Sequence, residues 1–445
     1  MKNKYVIFSA FIAALGGLLF GYDTAVISGA EKDIQQLFHL NDFQHGFTIS
    51  IALIGTLLGA FLSNIPANRY GRKYSLLMIA VLYAISALGC GLSNSWLAFL
   101  TFRFVGGVGV GASSVIGPMY IAEISPAHLR GRLVAAFQLN VVFGIVLSYF
   151  VNYFISLNIA HDAWRWMLGV QVFPATIFFA LAWLIPFSPR WLIMKGRLLE
   201  ATKVLQKIGS ADASSDLREI QQSLKNNSGK NNEKFFQKRY RTPIILAVLV
   251  AVFNQFSGIN AIMYYAPRIF EIVGYAQDSA LLQSVSIGIT LFIFTIVGMF
   301  LVDKIGRKRL LLVGSVGMTF FLAMVSHTIF RNVGSDGSIF MLIFLSGFIA
   351  FFAFSQGTVI WVFISEIFPN SVRAKGQTLG SMTHWLSSTF ISWMFPMLSS
   401  GTRGGWAFAF FAVAMMVQFI VVKKYFPETK GKSLEQIQKE MITNK

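Results

Sequence analysis

Long apolar runs separated by short polar segments make up most of the chain. They cover residues 6–28, 46–67, 75–94, 97–122, 132–156, 164–186, 243–268, 280–302, 309–330, 338–365, 375–398 and 405–426. Each reaches the roughly 20 residues that a helix needs to cross about 30 Å of hydrocarbon. Gly and Pro recur inside them, as membrane helices permit. The pattern predicts an all-α polytopic membrane protein with twelve transmembrane helices, here called spans 1 to 12. Span 1 follows Lys2 and Lys4, as a signal peptide would, but it is longer than a signal core and no small-residue cleavage site follows. It is therefore read as a retained helix.

The basic residues are divided unevenly between the two sides. Among the Lys and Arg residues, only Lys32, Arg165, Arg268, Arg331 and Arg403 fall in the odd-to-even loops, and Arg103 lies inside span 4. The rest occupy the termini and the even-to-odd loops. Positive-inside bias then places both termini in the cytoplasm. Composition agrees with the class: 55% of residues are hydrophobic and 13% are charged, against about 25% charged in an ordinary soluble domain. The net charge of +18 is explained by this topology and calls for no nucleic-acid partner. A single cysteine, Cys90, excludes an intrachain disulfide and reads as a packing residue.

Residues 187–242 form the longest polar segment and divide the spans six and six. Within it LIMKGRLLEATKVLQKI and LREIQQSL have helical periodicity, and NNSGKNNEK reads as a flexible linker. After span 12, SLEQIQKEM offers Ser433 as N-cap with Gln436 three residues on, a capping box for a further surface helix. The expected organisation is an N-terminal bundle (1–186), a linker with short helices (187–242), a C-terminal bundle (243–426) and a tail (427–445). The halves repeat. NRYGRK (68–73) returns as DKIGRK (303–308), AEISPAHLRGR (122–132) as SEIFPNSVRAK (365–375), and Pro186 as Pro427, each about 240 residues later. Duplicated halves of this kind place a substrate site at their interface near mid-membrane.

Asp23 breaks the first apolar run, in GGLLFGYDTAVISGA. A central acid costs about 2.5–3.5 kcal/mol to insert, so such residues face the bundle interior and find partners. Arg103 is the basic residue that the sequence buries in a span. A pair between them offsets both charges, with burial raising the acid's proton affinity and the guanidinium lowering it. The acid is then either a proton-coupling site, half of a static structural pair, or an Asp bonded locally to its own helix end. Phe20, Asp23, Thr24 and Ile27 share one helical face, so Phe20 and Thr24 would line the cavity with the acid.

NRYGRK and DKIGRK resemble the loop motif of the major facilitator superfamily. GGLLFGYDTAVISG, RFVGGVGVG, AEISPAHLRGRL, NQFSGINAIMYYAP, WVFISEIFP and FPETKGKSLEQI resemble its sugar porter branch, over about residues 9–440. The likeness is strongest to bacterial proton symporters of the D-xylose and D-glucose type. It implies twelve helices in two pseudo-symmetric bundles, alternating access, a monosaccharide substrate, and Asp23 as the coupling acid. It also implies Phe20, Gln138, Gln255 and Asn260 as sugar contacts, Tyr264 as part of an extracellular gate, and Trp361 and Trp385 stacking on or beneath the sugar. Glu123 and Glu366, with Arg72, Arg130, Arg307 and Arg373, match a cytoplasmic charge network that latches the bundles.

The residues themselves suit a sugar. Its hydroxyls need groups that both donate and accept, and its C–H faces need flat apolar walls. Asn254, Gln255 and Asn260 crowd span 7, where Ser257-Gly258 lets the helix unwind. Taken alone they also fit interhelical amide bonding. The chain departs from the family pattern at several points. Asn254 replaces the first of a Gln pair, His384 precedes Trp385 where relatives carry an amide, and Leu291 replaces an Asn. Gly357-Thr358 replaces Gly-Pro, Phe187 replaces the Glu of PESPR, Asn68 replaces Asp, and Gln171 stands where xylose-type symporters carry an acid.

No nucleophile–base pair, metal-ligand cluster, Walker A sequence or cofactor motif appears, so an enzyme or an ATP-driven pump is not expected. GGVGVG (106–111) lacks a preceding strand and reads as helix packing. His39 and His45 read as solvated loop residues. The expected reading is a monomeric sugar–proton symporter of a bacterial inner membrane, with an uncoupled facilitator or a membrane sugar sensor as alternatives.

Overall fold

A computed structural model describes residues 2–209, 212–228, 234–331, 334–369, 371–399, 403–432 and 436–437. Among these residues there is no strand, and eleven helices are long and apolar enough to cross a membrane. They are α1 (Lys4–Leu37), α2 (Asp42–Arg69), α3 (Arg72–Leu92), α4 (Trp96–Ile124), α5 (His128–Asn158), α6 (Ala163–Ala182), α7 (Lys238–Ile272), α8 (Gln277–Ile305), α9 (Arg307–Phe330), α10 (Ile339–Ile367) and, one helix later, Gly404–Tyr425. The helix between is α11 (Arg373–Ser399), and Gly404–Tyr425 is α12. With 27 residues α11 has the length to span. It lacks the hydropathy because Thr383, His384, Ser387, Ser388, Thr389 and Ser392 lie along it.

The polar segment after α6 carries the short helices Pro189–Met194, Leu198–Lys207 and Ala213–Ser228. The periodic stretch 192–208 is thus two helices, parted where Gly196 turns at φ 74°. Leu205, Ile208 and Ala213 bury their apolar face with Val6 of α1. The last of the three helices runs into the expected linker, of which residues 229–233 lie outside the described residues, as does the cap Ser433.

The chain forms two compact units. One is Met1–Val26, Ile51–Ser148 and Asp162–Asn232, and the other is Ile27–Ser50, Tyr149–His161 and Glu233–Lys445. The first packs on Leu19, Leu76, Tyr83, Ile116, Tyr120, Phe137 and Phe178. Its GGVGVG stretch is a packing surface. A Cβ at Gly107 or Gly111 would collide with the carbonyls of Ala52 and Thr56 on α2, and one at Gly55 or Gly59 with those of Phe104 and Val108 on α4. Backbone therefore meets backbone, the arrangement by which membrane helices gain close contact. The second unit packs on Leu246, Val250, Leu310, Val359, Phe363, Phe368 and Phe426. Large apolar side chains such as Leu92, Leu97, Phe173, Phe300 and Trp406 stay exposed on the outer helix faces, as lipid contact requires.

Candidate functional site

In the first unit the acid and the guanidinium meet. Arg103 Nη1 lies 3.3 Å from Asp23 Oδ1, and each residue is 2% exposed. Gly106, one turn beyond Arg103, makes room: a Cβ there would stand 3.4 Å from Asp23 Oδ1 and crowd Ser86. Gln171 of α6 is buried beside the pair, and the Arg103 Nε is buried without a hydrogen bond. The guanidinium contact is at the long end of the range and leaves a guanidinium nitrogen unsatisfied, and the other partner of the carboxyl is the neutral amide of Gln171, so it is less fully held than in a bidentate pair. Phe20 is half-buried against the unit's core, and Gln138 stands exposed on α5. Thr24 Oγ1 donates to the Phe20 carbonyl at 2.9 Å, so its hydroxyl is bound to its own helix.

The repeated loop motif builds the same structure twice. Gly71 and Gly306 take φ 90° and 99°, a region open to glycine, and each starts a helix at the following arginine. Arg72 donates to the carbonyl of Ala67 at 3.1 Å and to Glu123 at 2.8 Å. Arg307 donates to the carbonyl of Val302 at 3.1 Å and to Glu366 at 2.9 Å. The other oxygen of each glutamate accepts a hydroxyl, from Ser188 at 2.5 Å and from Thr429 at 2.6 Å. The first half has Phe187 where the second has Glu428. Glu428 accepts from the Arg307 backbone N–H at 2.9 Å, whereas Phe187 stacks on Trp191 at 5.4 Å. Among the described residues Arg130 reaches the Ser125 carbonyl, at 3.5 Å, and Arg373 leaves Nε and Nη2 buried without hydrogen bonds.

The second unit holds the amides. Span 7 breaks at Ser257-Gly258, with Gly258 left-handed at φ 81° and the helix resuming at Ile259. Around the break, Gln255 Nε2 donates to Asn254 Oδ1 at 2.9 Å, and Asn260 Nδ2 donates to Gln255 Oε1 at 2.9 Å and to Ser388 of α11. Gln255 also approaches both ring nitrogens of His384 at 3.3 Å. The His384 ring lies 5.1 Å from both Trp361 and Trp385. Trp385 is 9% exposed and Trp361 is 38% exposed. Six of the predicted residues thus come together, and Tyr264 is buried further along α7. Leu291, on α8, is buried as well.

The site continues into residues that the sequence reading missed. Asn254 Nδ2 donates to Gln356 Oε1 at 3.3 Å, and Gln356 Nε2 donates to Gln418 Oε1 at 2.5 Å. A chain of buried amides therefore runs from α7 through α10 to α12. Its signal was present: each is a lone glutamine in an apolar span, the same anomaly that singled out Asp23.

Two proline-freed carbonyls tie the far half of this unit together. Pro267 has no N–H for the Met263 carbonyl one turn back, and Tyr149 of α5 donates to that carbonyl at 2.7 Å. Pro396 likewise frees Ser392, whose carbonyl accepts from Tyr265 at 3.1 Å. His45 needs a correction. It is 0% exposed, one turn into α2, with Nε2 at 2.6 Å from Glu31 Oε2. Arg268 lies within α7 and binds the same carboxylate. His39 is exposed, as expected.

The model of the family described as "Sugar (and other) transporter" matches residues 9–441. The chain belongs to the sugar porter family. It is 36% identical to the arabinose-proton symporter of Bacillus subtilis over 98% of this chain and 95% of that one. It is 35% identical to the D-xylose-proton symporter of Escherichia coli over 98% and 96%. An inward-open structure of the E. coli xylose transporter XylE aligns with a TM-score of 0.87 at 35% identity, over 98% of this chain and 100% of that one. A partially occluded inward-open structure of the same transporter gives 0.85. This sugar porter is therefore a multi-pass membrane carrier of the major facilitator fold, and not an enzyme.

Proposed function

We propose that this sugar porter carries a monosaccharide, a pentose or a hexose such as xylose or glucose, together with a proton by alternating access. It does so as a monomer in a bacterial inner membrane, with both termini cytoplasmic. The observation that carries this reading is the pair between Asp23 of the first span and Arg103 of the fourth, 3.3 Å apart and each 2% exposed. An intramembrane acid held by one long guanidinium contact and a neutral amide is suited to exchange a proton. Two relatives named as proton symporters of arabinose and D-xylose support the assignment.

In this account Gln138, Asn254, Gln255, Asn260 and His384 bind sugar hydroxyls, Phe20, Trp361 and Trp385 supply apolar walls, and Tyr264 gates the outer side. The halves 1–186 and 243–426 alternate, with 187–242 as linker and 427–445 as tail. Glu123 and Glu366, with Arg72, Arg130, Arg307 and Arg373, latch them at the cytoplasmic side. The test is uptake of labelled xylose, arabinose and glucose by proteoliposomes, with and without an inward proton gradient. At least one sugar should accumulate above equilibrium only with the gradient. Equilibration unaffected by the gradient would make the protein a facilitator, and absence of flux for every sugar would remove the reading.

A further inference from the structure

A cluster of ionisable groups lies further along α1 than the coupling pair. Glu31 is eight residues beyond Asp23, about 12 Å along α1, and belongs to the second compact unit. Its carboxylate is 2% exposed. Arg268 of α7 donates from Nε to Oε1 at 2.8 Å, its Nη2 lies 2.8 Å from Oε2, and Nη2 also donates to Gln35 Oε1 at 2.5 Å. His45 of α2 completes the set through Nε2, while its Nδ1 is buried with no hydrogen-bond partner. Neighbouring contacts close the same end of the unit. Lys32 pairs with Glu271 at 2.7 Å, and Trp393 Nε1 donates to the Phe43 carbonyl at 3.1 Å. Three helices, α1, α2 and α7, are thus joined through one carboxylate.

We propose that Glu31 and His45 form a second proton-binding site, loaded from the outer side when α7 parts from α1 and α2. The word "outer" rests on the topology proposed above. In the joined state Arg268 matches the charge of Glu31, and the proposal assigns His45 the tautomer that donates Nε2–H to Glu31. A proton on Nδ1 would be an unpaired buried donor and an uncompensated charge, both unfavourable. When Arg268 withdraws, the carboxylate is left without its counter-ion and water reaches the ring. One proton then passes from water to Nδ1 while Nε2–H remains on Glu31, and the Glu31–imidazolium pair is again neutral. Return of Arg268 expels that proton. The other groups that face the cluster do not replace it. On α1, Lys32 is paired with Glu271, and Asp33 follows two residues after Glu31 in the sequence. Asp42 on α2 lies 3.4 Å from Gln35, and Tyr265 on α7 meets the His45 ring at 5.9 Å. Helices α5 and α11 bring Asn152 against Gly29 and Trp393 against Gly46, neither charged. External acid therefore favours the open outer face.

Electron–electron distance measurement tests this without sugar or transport. Spin labels go on Gln36→Cys and Ala276→Cys, both exposed positions, in a Cys90→Ser background of the full chain in nanodiscs. Lowering the pH from about 8 to about 5.5 should raise the long-distance population, by up to about tenfold per unit for one linked proton. His45→Asn and His45→Gln should each abolish that response, and Glu31→Gln should give the open distance at both pH values. All of these measurements are made in an Asp23→Asn background, so that the coupling pair contributes no pH response of its own. In that background, a pH-independent distance, or a response that survives both His45 variants, would overturn the proposal.

Discussion

At the level of single residues, the anomalies of the sequence point to function. Asp23 was identifiable because an acid in an apolar run is costly, and its partner Arg103 followed by elimination. Glu31, His45 and Arg268 escaped the same logic because they sit near span ends, where charge is ordinary. Only the fold shows that His45 is 0% exposed and that Arg268 turns onto Glu31. The amides of span 7 were legible as a group, whereas Gln356 and Gln418 were isolated and looked incidental. Their contacts hold the Asn254 side chain from behind. Gln356→Leu should therefore raise the KM for sugar by about 3- to 30-fold, the range that a buried amide bond of about 0.6–2 kcal/mol allows, with a smaller effect on maximal rate. Equal losses in both parameters would mean that Gln356 acts in the transport step and does not position Asn254.

At the level of elements, the spans and their packing were largely written in the apolar pattern, but their interruptions were not. Proline positions mark where helical hydrogen bonds must fail; they do not say what replaces them. Here a tyrosine hydroxyl from another helix does so twice, at Met263 and Ser392. Tyr149→Phe should lower stability by about 0.5–1.5 kcal/mol, read as a fall in Tm in detergent. The same change in a Pro267→Ala background should cost less, because the restored N–H then serves the Met263 carbonyl. An undiminished penalty would show that Tyr149 matters for some other contact. The glycines of α2 and α4 make a similar case. Gly111→Val would force the α4 backbone away from Thr56 and should sharply reduce the yield of folded protein. Gly131→Val, with open space around its α-carbon, should leave the yield unchanged.

At the level of the whole molecule, the duplication seen in the motifs reappears in the hydrogen bonds. Arg72, Glu123 and Ser188 in the first half repeat as Arg307, Glu366 and Thr429 in the second. The hydroxyl partners were not foreseen, since serine and threonine just after an apolar run carry no distinctive signal. The substrate is not legible at this scale either. Exchanging one sugar hydroxyl alters only one or two hydrogen bonds. What the whole account depends on is that Asp23 exchanges the transported proton. Proteoliposomes loaded with a pH-sensitive dye test it most directly: on adding a transported sugar outside, the lumen should acidify for the unmodified chain. With Asp23→Asn the sugar should still exchange across the membrane but the lumen should stay neutral. Sugar-driven acidification that persists in Asp23→Asn would contradict the account.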